Sequence, residues 1–538
     1  MSDEHDLHTG DTLVALFRAA VADRGDAPAL IGPGGSMSWN QYAQQVDSLA
    51  ARLRSWGLEW GQRVALVMDN SPEFHIVDMA VLVAGGVPFS IDPRDAPARV
   101  TGLLAVASPP ILIADEQHLG AARSLASESA VARVVCATDI PEPGEVTGRA
   151  EQPQPSAEDI ATLIFTSGTT GAPKAVQLAH RAIVSSLRST DAVAPMGRAG
   201  RVLSYLPLTH IAERFMSYYF ALATGSTIYC VPDAAVLYDR IISVRPTRFF
   251  AVPRVYEKLA ARARALRAAE PNLSGPEVIA ALGLGETEYR GVATAPSSQE
   301  LLRFFADLGS PVSNIWGMSE AIMCTVNPPE RIVEGSVGVF LGSCEGAVAS
   351  DGELLVRGSN VMSGYLGDPE RTAEVLDEQG WLHTGDLGRI DDDGYLFLIG
   401  RKKDVLVTAT GKNVVPTVVE QEVINRTDLL SLVVAIAEGR RYVTALLVPD
   451  EENLAAFARS RGLAGTAAEL TRHPEVRAAI ERAIAEANTV LAKAETIRNW
   501  VLLPAEWQPA SDELTATMKI RRSAVDDKYA TEIDRMYT

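Results

Sequence analysis

The stretch from Arg63 to Pro93 constrains the fold more than any other part of this sequence. It begins with "RVALVMDN" (Arg63–Asn70), an apolar run that predicts a buried strand ending in polar residues. The following "EFHIVDMAVLVAGG" predicts a helix, and "VPFSIDP" predicts the next strand. A helix that joins two strands at this spacing makes them parallel neighbours. The chain is therefore predicted to be an α/β protein built from βαβ units.

The residue pattern changes near Arg401, where a charged segment follows a predicted strand at Tyr395–Ile399. Residues 1–400 are predicted to form a large N-terminal domain of βαβ-type subdomains with packed sheets. Residues 405–538 are predicted to form a small α+β domain. Its expected elements are a helix from Pro416, hairpin strands at Leu432–Ala437 and Tyr442–Val448, and an amphipathic helix from Pro474 to Trp500.

Charge and cysteine content exclude some classes of function. The 538 residues carry a formal net charge of −19, which disfavours a nucleic-acid-binding protein because phosphate backbones need a basic face. The four scattered cysteines form no metal-binding pattern and indicate a reducing compartment, the cytoplasm. The longest clean apolar run near the start, Met79–Ile91, is too short to span a bilayer, so no transmembrane segment is expected.

A loop rich in glycine and threonine, "LIFTSGTTGAPKAV" (Leu163–Val176), follows a short predicted strand. Its glycines allow backbone N–H groups to approach an anion, its hydroxyl groups are donors, and its lysine adds a positive charge. The spacing differs from a Walker A loop, because alanine follows the lysine where Ser or Thr would hold Mg²⁺. A polyphosphate site and an exposed turn both fit these residues. The candidate ligand residues are Thr166, Ser167, Gly168, Thr169, Thr170, Gly171 and Lys174.

Two further segments carry candidate carboxylates. In "IWGMSEA" (Ile315–Ala321), Glu320 offers a ligand for Mg²⁺, and a helix N-terminus favouring an acidic residue is the alternative. In "WLHTGDLGRIDDDGYLFLIGRKKD", Asp386 lies between glycines and offers acceptors to ribose hydroxyls, with Arg401 as a partner for the sugar or a phosphate. A turn-forming role for Asp386 is the alternative there. Lys519, in "DELTATMKIRR", is by itself an ordinary solvated lysine.

Taken together and in this order, "TSGTTGAPK", "WGMSE", "HTGDLG", "GRKKDVLVTATGKNV" and "LTATMKIRR" resemble the adenylate-forming superfamily of acyl-CoA synthetases and related ligases. The resemblance extends over nearly the whole chain. "LPLTHIAERF" (Leu206–Phe215) and "PRVYEKL" (Pro253–Leu259) bring it nearest to the long-chain fatty acyl-CoA synthetases.

The resemblance implies that ATP, Mg²⁺ and CoA are used in two half-reactions. A carboxylate first attacks the α-phosphate of ATP to give an acyl-adenylate and pyrophosphate, and a thiol then expels AMP. Lys519, Glu320 and His210 would be catalytic. The implied ATP-binding positions are the loop residues named above, Ala293 and Thr294 beside the adenine, Trp316, Gly317, Met318 and Ser319 near the α-phosphate, and Asp386 and Arg401 at the ribose. Glu320, together with Thr166, would ligate Mg²⁺.

The small domain of such enzymes rotates between the two steps, which implies a hinge at residues 401–404 with Lys403 at its centre. Its neighbour Lys402 leaves room for a one-residue slip. Rotation would bring in the "TATGKNV" loop, with Gly411 lining the pantetheine tunnel. The adenine loop here, "GVATAPSS", departs from the usual Gly-Gly-Ala type, and Ser319 stands where Thr is more usual.

The sequence favours a medium- or long-chain fatty acyl-CoA synthetase, an acid–thiol ligase of lipid metabolism. An acyl-adenylate ligase that loads an acyl carrier protein stays open, as does a CoA ligase for an aryl or unusual acid. More remote are a luciferase-like oxidoreductase and a nucleotide-binding protein without catalysis. The expected partners are a carboxylic acid and CoA or a carrier protein, with peripheral membrane contact as a further option.

Overall fold

A computed structural model describes residue 7 and residues 9–139, 154–166, 173–508, 511–514 and 520–538. It is an α/β structure, as the sequence predicts. The strands are β1 Pro28–Gly32, β2 Gly35–Ser38, β3 Arg63–Val67, β4 Val87–Ile91, β5 Ile111–Ala114, β6 Arg133–Cys136, β7 Ile160–Thr166, β8 Lys174–Ala179, β9 Arg201–Ser204, β10 Thr227–Cys230, β11 Arg248–Ala251, β12 Tyr289–Val292, β13 Ser313–Trp316, β14 Thr325–Val326, β15 Val339–Phe340, β16 Cys344–Val348, β17 Glu353–Gly358, β18 Gly364–Tyr365, β19 Leu382–Ile390, β20 Leu396–Arg401, β21 Leu406–Val407, β22 Asn413–Val414, β23 Leu430–Ile436, β24 Val443–Pro449 and β25 Ile497–Leu502.

The helices alternate with these strands through much of the chain. They are α1 Leu13–Arg24, α2 Trp39–Ser55, α3 Pro72–Val83, α4 Pro97–Ala107, α5 Leu119–Ser127, α6 His180–Val193, α7 Ile211–Glu213, α8 Phe220–Thr224, α9 Leu237–Val244, α10 Pro253–Ala269, α11 Gly275–Ala281, α12 Gln299–Asp307, α13 Pro369–Val375, α14 Pro416–Ile424, α15 Glu451–Arg461, α16 Ala467–Leu470, α17 Pro474–Val490, α18 Arg522–Lys528 and α19 Ala530–Arg535. Within the described ranges, no helix has the length and hydropathy that crossing a bilayer requires.

The chain divides into two compact units. The first comprises residues 1–293, 305–347 and 355–383, and the second comprises residues 294–304, 348–354 and 384–538. The larger first unit contains the predicted βαβ units: β4-β3-β5-β6 form a parallel sheet, with Val67 beside both Ile91 and Ala114. The core around this sheet is mostly aliphatic, as expected for parallel strands covered on both faces.

A buried polar network in the first unit supports the segment that carries His210. Between α7 and α8 the chain forms a π-helix, Arg214–Tyr219, in which every residue is buried. The fully buried Arg214 guanidinium donates to Asp78 (2.7 Å), Ser90 (2.8 Å) and the Leu208 carbonyl oxygen (2.9 Å). Because Leu208 lies two residues before His210, this arginine fixes the turn that leads into the π-helix.

The second unit contains the predicted hairpin, β23 and β24, which are antiparallel and have β25 added in parallel on β24. The predicted helix Pro474–Trp500 is wrong at its end: α17 stops at Val490, and Trp500 lies in β25. The apolar positions that defined the helix run from Val476 only to Leu491, whose extended backbone (ψ 145°) ends it. Past that point the helical periodicity is lost, and the chain turns back to pair with β24.

Candidate functional site

Three side chains of the first unit come together from distant parts of the sequence: Lys174, Glu320 and Tyr365. The Tyr365 hydroxyl donates to Glu320 Oε1 at 2.9 Å, and Lys174 Nζ lies 4.8 Å from the centre of the Tyr365 ring. Burial, followed by the nearby Glu320 carboxylate, raises the pKa of Tyr365, so its hydroxyl stays protonated and donates. The cation of the predicted phosphate loop and the carboxylate of "WGMSEA" therefore flank one aromatic ring.

The described part of the phosphate loop shows how Lys174 is placed. β7 and β8 form an antiparallel pair in which Thr166 is the partner of Lys174. Both ends of the loop are thus held one strand spacing apart. Ser167, Gly168, Thr169, Thr170 and Gly171 lie outside the described residues, so their predicted contacts with phosphates stay predictions. β18 pairs with the far side of β8, with Tyr365 opposite Val176.

Glu320 belongs to a turn that follows β13, so the alternative in which it begins a helix is wrong. Gly317 is required in this turn, because a Cβ atom there would lie 1.9 Å from the Ile322 carbonyl oxygen. Ile322 has a left-handed backbone (φ 46°), an arrangement that β-branched residues rarely adopt. Met318, Ser319 and Glu320 are half-buried, and Trp316 is buried at the strand end. The turn is compact and leaves the Ser319 and Glu320 side chains partly accessible.

The predicted adenine loop begins directly after β12. Ala293 is half-buried, and Thr294 has a left-handed backbone with φ 76°. The Thr294 hydroxyl is buried and has no hydrogen-bond partner among the residues that the structure describes. A strained residue with an unpartnered hydroxyl is typical of a ligand site.

His210 immediately precedes α7, at its N-cap position. It lies close enough to Asp92, which directly follows β4, to influence that carboxylate. Burial raises the pKa of Asp92. Two side-chain hydrogen bonds from Arg94 (2.8 and 3.0 Å), one from its backbone N–H (2.9 Å) and the charges of Arg94 and His210 outweigh this effect, so the pKa lies below its usual value. His210 thus lies near a carboxylate that is itself held by an arginine.

Asp386 and Arg401, the two residues that the sequence predicts at the ribose, lie together in the second unit. They are cross-strand partners in β19 and β20, and Arg401 Nε lies 2.7 Å from Asp386 Oδ1. Asp386 is therefore a strand residue rather than a turn former, and the strand that holds Arg401 runs two residues beyond its predicted end. The Asp386 side chain is 8% exposed and the Arg401 side chain 41%. This difference leaves the guanidinium accessible to a ligand while the carboxylate orients it.

The remaining predicted residues lie in exposed parts of the second unit or outside the described residues. Lys403 lies in a 3₁₀ turn, Lys402–Asp404, and is exposed. Its neighbour Lys402 forms ion pairs with Asp351 (2.6 Å) and Glu353 (2.9 Å). Gly411 has φ 72° in the turn that joins β21 to β22, where its N–H donates to the Thr408 carbonyl oxygen (2.8 Å). Lys519 lies outside the described residues.

Tyr205, Phe249 and Tyr256 form an aromatic group in the first unit. The Tyr205 and Phe249 rings stack with centres 6.3 Å apart, and Phe249 packs edge-on against Tyr256 at 5.8 Å. The Tyr205 hydroxyl donates to the Phe250 carbonyl oxygen (3.1 Å). This group is well packed.

Sequence reasoning missed Tyr365, Asp92 and Arg94. Asp92 had a usable signal, since polar residues that follow parallel strands gather at one sheet edge. Tyr365 had none, because the two-residue strand that carries it is defined only by its pairing with β8.

The chain matches known protein families over most of its length. The family described as AMP-binding enzyme matches residues 17–366, and the AMP-binding enzyme C-terminal domain matches residues 403–538. The chain belongs to the AMP-binding enzyme family, the adenylate-forming superfamily that the motifs predict.

Relatives and solved structures add detail. A Mycobacterium tuberculosis protein with the provisional name fatty-acid–CoA ligase fadD11 is 39% identical over 434 residues, covering 73% of this chain and 75% of that protein. The long-chain-fatty-acid–CoA ligase FadD15 of Mycobacterium bovis is 30% identical, covering 92% and 91%. The crystal structure of ATP-bound MatB from Rhodopseudomonas palustris superposes with a TM-score of 0.77 at 22% identity, covering 97% and 99%. The chain therefore shares the α/β fold of that structure.

Proposed function

We propose that this protein is an AMP-forming acid–thiol ligase that activates a medium- or long-chain fatty acid with ATP and transfers the acyl group to CoA. The observation that carries the proposal is the convergence of Lys174 and Glu320 on Tyr365 in the first unit. Family membership and the names of the relatives support the same reaction class. Free thiols at all four cysteines are consistent with a cytoplasmic location.

The residues present fit ATP and Mg²⁺. A lysine ammonium suits phosphate oxygens, and the carboxylate of Glu320 is the hard oxygen ligand that Mg²⁺ prefers. The unpartnered Thr294 hydroxyl adds a hydrogen-bonding group for the adenine end of the nucleotide. Mg²⁺, when bound, would supply positive charge next to the phosphates, held by Glu320 with Thr166.

In the first half-reaction, the fatty-acid carboxylate and ATP are both anions, so the protein must offset their repulsion. Lys174 and the loop from Thr166 would hold the β- and γ-phosphates, and Ser319 would donate to the α-phosphate. Asp386 and Arg401 would orient the ribose. Lys519 would stabilise the charge that develops as the carboxylate oxygen bonds to phosphorus and pyrophosphate leaves.

In the second half-reaction, the CoA sulfur bonds to the acyl carbonyl carbon, the bond to the AMP oxygen breaks and the thiol proton is released. Rotation about Lys403 would exchange Lys519 for the loop that contains Gly411, which would line the pantetheine path. His210, which lies near the Asp92 carboxylate, would separate the adenylate from the thiol channel.

A screen of C2–C18 and aryl acids with ATP, run with and without CoA, tests the proposed substrates. Release of pyrophosphate and AMP that requires CoA, with preference for longer aliphatic acids, is the expected result. Acyl-adenylate that accumulates despite CoA would instead identify a carrier-protein loader. A preference for aryl acids would replace the fatty-acid assignment.

The roles of individual residues are tested by variants. Lys519→Ala is expected to lower the rate of adenylate formation at least 100-fold while ATP binding is retained, because its charge acts in the transition state. Near wild-type pyrophosphate exchange in this variant would overturn the role of Lys519. Glu320→Gln is expected to raise the Mg²⁺ concentration needed for half-maximal activity.

A further inference from the structure

Tyr365 contacts both charged groups of the site, Lys174 and Glu320. It belongs to none of the sequence motifs described above. It is buried, with 6% of its surface exposed. Its hydroxyl donates a hydrogen bond to Glu320 Oε1, and its ring lies under the Lys174 ammonium. We propose that Tyr365 is a positioning residue that orients the Glu320 carboxylate for a divalent cation and holds Lys174 beside it for the nucleotide phosphates. The inference rests on the proposed function, because it takes Glu320 as the cation ligand.

The backbone around Tyr365 is built to keep the tyrosine in place. Pairing of β18 with β8 fixes its position relative to Lys174, since both lie on adjacent strands of one sheet. Its N–H donates to the Thr372 hydroxyl (2.9 Å), which in turn donates to the Asp368 carbonyl oxygen (2.8 Å). The ring therefore has little freedom, and its hydroxyl presents a fixed donor.

The same segment also holds the turn that carries Glu320. The Asn360 side-chain amide donates to the carbonyl oxygens of Ala321 (2.8 Å) and Met323 (3.0 Å). The Met362 N–H donates to the Glu320 carbonyl oxygen (2.8 Å). With the Tyr365 hydroxyl, residues 360–365 fix both the backbone and the side chain of Glu320.

This arrangement has a chemical consequence. A glutamate side chain has three rotatable bonds, and ordering it on binding a cation costs conformational entropy. The Tyr365 bond to Oε1 restricts those rotations beforehand and leaves Oε2 as the oxygen we assign to the cation. Groups that orient a metal ligand in this way typically change metal affinity by about 10- to 100-fold.

Two substitutions separate the parts of the proposal. Tyr365→Phe keeps the ring under Lys174 and removes only the hydroxyl, and Tyr365→Leu removes both. The readouts are the dissociation constant of Mn²⁺ for the enzyme–ATP complex, from the free-Mn²⁺ electron paramagnetic resonance signal, and ATP affinity without a divalent cation. Tyr365→Phe is expected to weaken Mn²⁺ binding about 10-fold and to leave cation-free ATP binding within about twofold of wild type. Tyr365→Leu is expected to weaken both.

The controls distinguish failure of this inference from failure of the proposed function. Tyr42→Phe removes another buried hydroxyl, which donates to the His75 carbonyl oxygen in the same unit, and is expected to change neither readout. If Glu320→Gln does not weaken Mn²⁺ binding, the proposed ligand is wrong. If Glu320→Gln weakens it and Tyr365→Phe does not, the positioning role is overturned and the proposed function stands. Equal loss of both affinities in Tyr365→Phe would show a general structural role and would also overturn the inference.

Discussion

Two arginine–aspartate pairs in this protein have the same N···O distance, 2.7 Å, and opposite surroundings. Asp78 and Arg214 in the first unit are both fully buried, and Arg214 also donates to Ser90, Tyr219 and a carbonyl oxygen. In the second unit, Asp386 is nearly buried, but the Arg401 side chain is 41% exposed. Distance alone therefore does not tell a structural pair from one that is available to a ligand.

The difference lies in how much of each arginine's hydrogen-bonding capacity is accessible. A guanidinium has five N–H donors, and Arg214 uses its groups on protein atoms in the buried interior. Breaking that pair leaves a charge buried without its partner, whereas the Arg401 guanidinium can turn to water. The first pair should thus govern stability and the second nucleotide binding.

The largest loss of stability is expected for Arg214→Met, which removes the buried guanidinium. Loss of the guanidinium leaves Asp78 buried and uncompensated, which should lower the free energy of unfolding by about 3–5 kcal/mol. Denaturant unfolding followed by intrinsic fluorescence measures this. The double variant Arg214→Met/Asp78→Leu should be less destabilised than the single one. If the free energy of unfolding of Arg214→Met lay within about 1 kcal/mol of wild type, the buried pair would not govern stability.

Glu213 is a buried acid that pairs with no arginine among the residues that the structure describes, and its contribution to stability should depend on pH. Burial raises its pKa from 4.5 to about 7, despite hydrogen bonds from Ser204, Ser217 and the Tyr205 N–H. Because the folded-state pKa is raised, the stability it contributes is complete below about pH 4.5 and is lost as pH rises through about 7.

Glu213→Gln has similar shape and cannot titrate. Between pH 5 and pH 8, wild type should lose up to about 3 kcal/mol of unfolding free energy relative to this variant. Parallel denaturant titrations at the two pH values give the difference. Identical pH profiles would mean that Glu213 is ionised in the folded protein.

The exposed pair, Asp386 and Arg401, should matter more for nucleotide binding than for stability. Arg401→Ala is expected to change the free energy of unfolding by less than about 1 kcal/mol and to weaken ATP binding about 10- to 100-fold, as for loss of a charged hydrogen bond. Arg440→Ala is a matched control in the same unit, since Arg440 is 39% exposed and paired with Asp534 at 2.8 Å. Equal ATP affinities for the two variants would remove Arg401 from the site.

The smallest change in stability is expected for the surface ion pair of Arg461 and Glu475. Arg461 and Glu475 are 3.4 Å apart and about half exposed, so Arg461→Ala should change the free energy of unfolding by less than about 0.5 kcal/mol. A larger loss in the same unfolding assay would show that exposure is a poor guide to the strength of ion pairs in this protein.

The sequence was informative where local pattern and global structure agree. The strand–helix–strand at Arg63–Ile91 is one example, because continuous apolar runs fit a parallel sheet covered on both faces. The candidate pair Asp386 and Arg401 was also predictable, since both belong to strands that form a hairpin. The family motifs identified Lys174 and Glu320 as candidate site residues, but they gave no information on how the two side chains lie relative to each other.

Other features depend on contacts that no local pattern encodes. Tyr365 meets Glu320 only through the pairing of β18 with β8, and the end of α17 depends on β25 joining β24. The π-helix looks like ordinary helix in the sequence, because its wider turn is stabilised by tertiary contacts of Arg214 rather than by local preference.

The π-helix between α7 and α8 also determines how the chain can change in length. Each residue of an α-helix advances 1.5 Å and rotates by about 100°. An extra residue in a regular helix would therefore rotate everything beyond it by that angle, whereas the wide turn of Arg214–Tyr219 takes up the extra residue within one turn. Deleting one residue there would let the turn close into a regular helix with α7 and α8 still in phase. Because every residue of the segment is buried, the deletion would instead remove one side chain from the core and disturb the packing around Arg214.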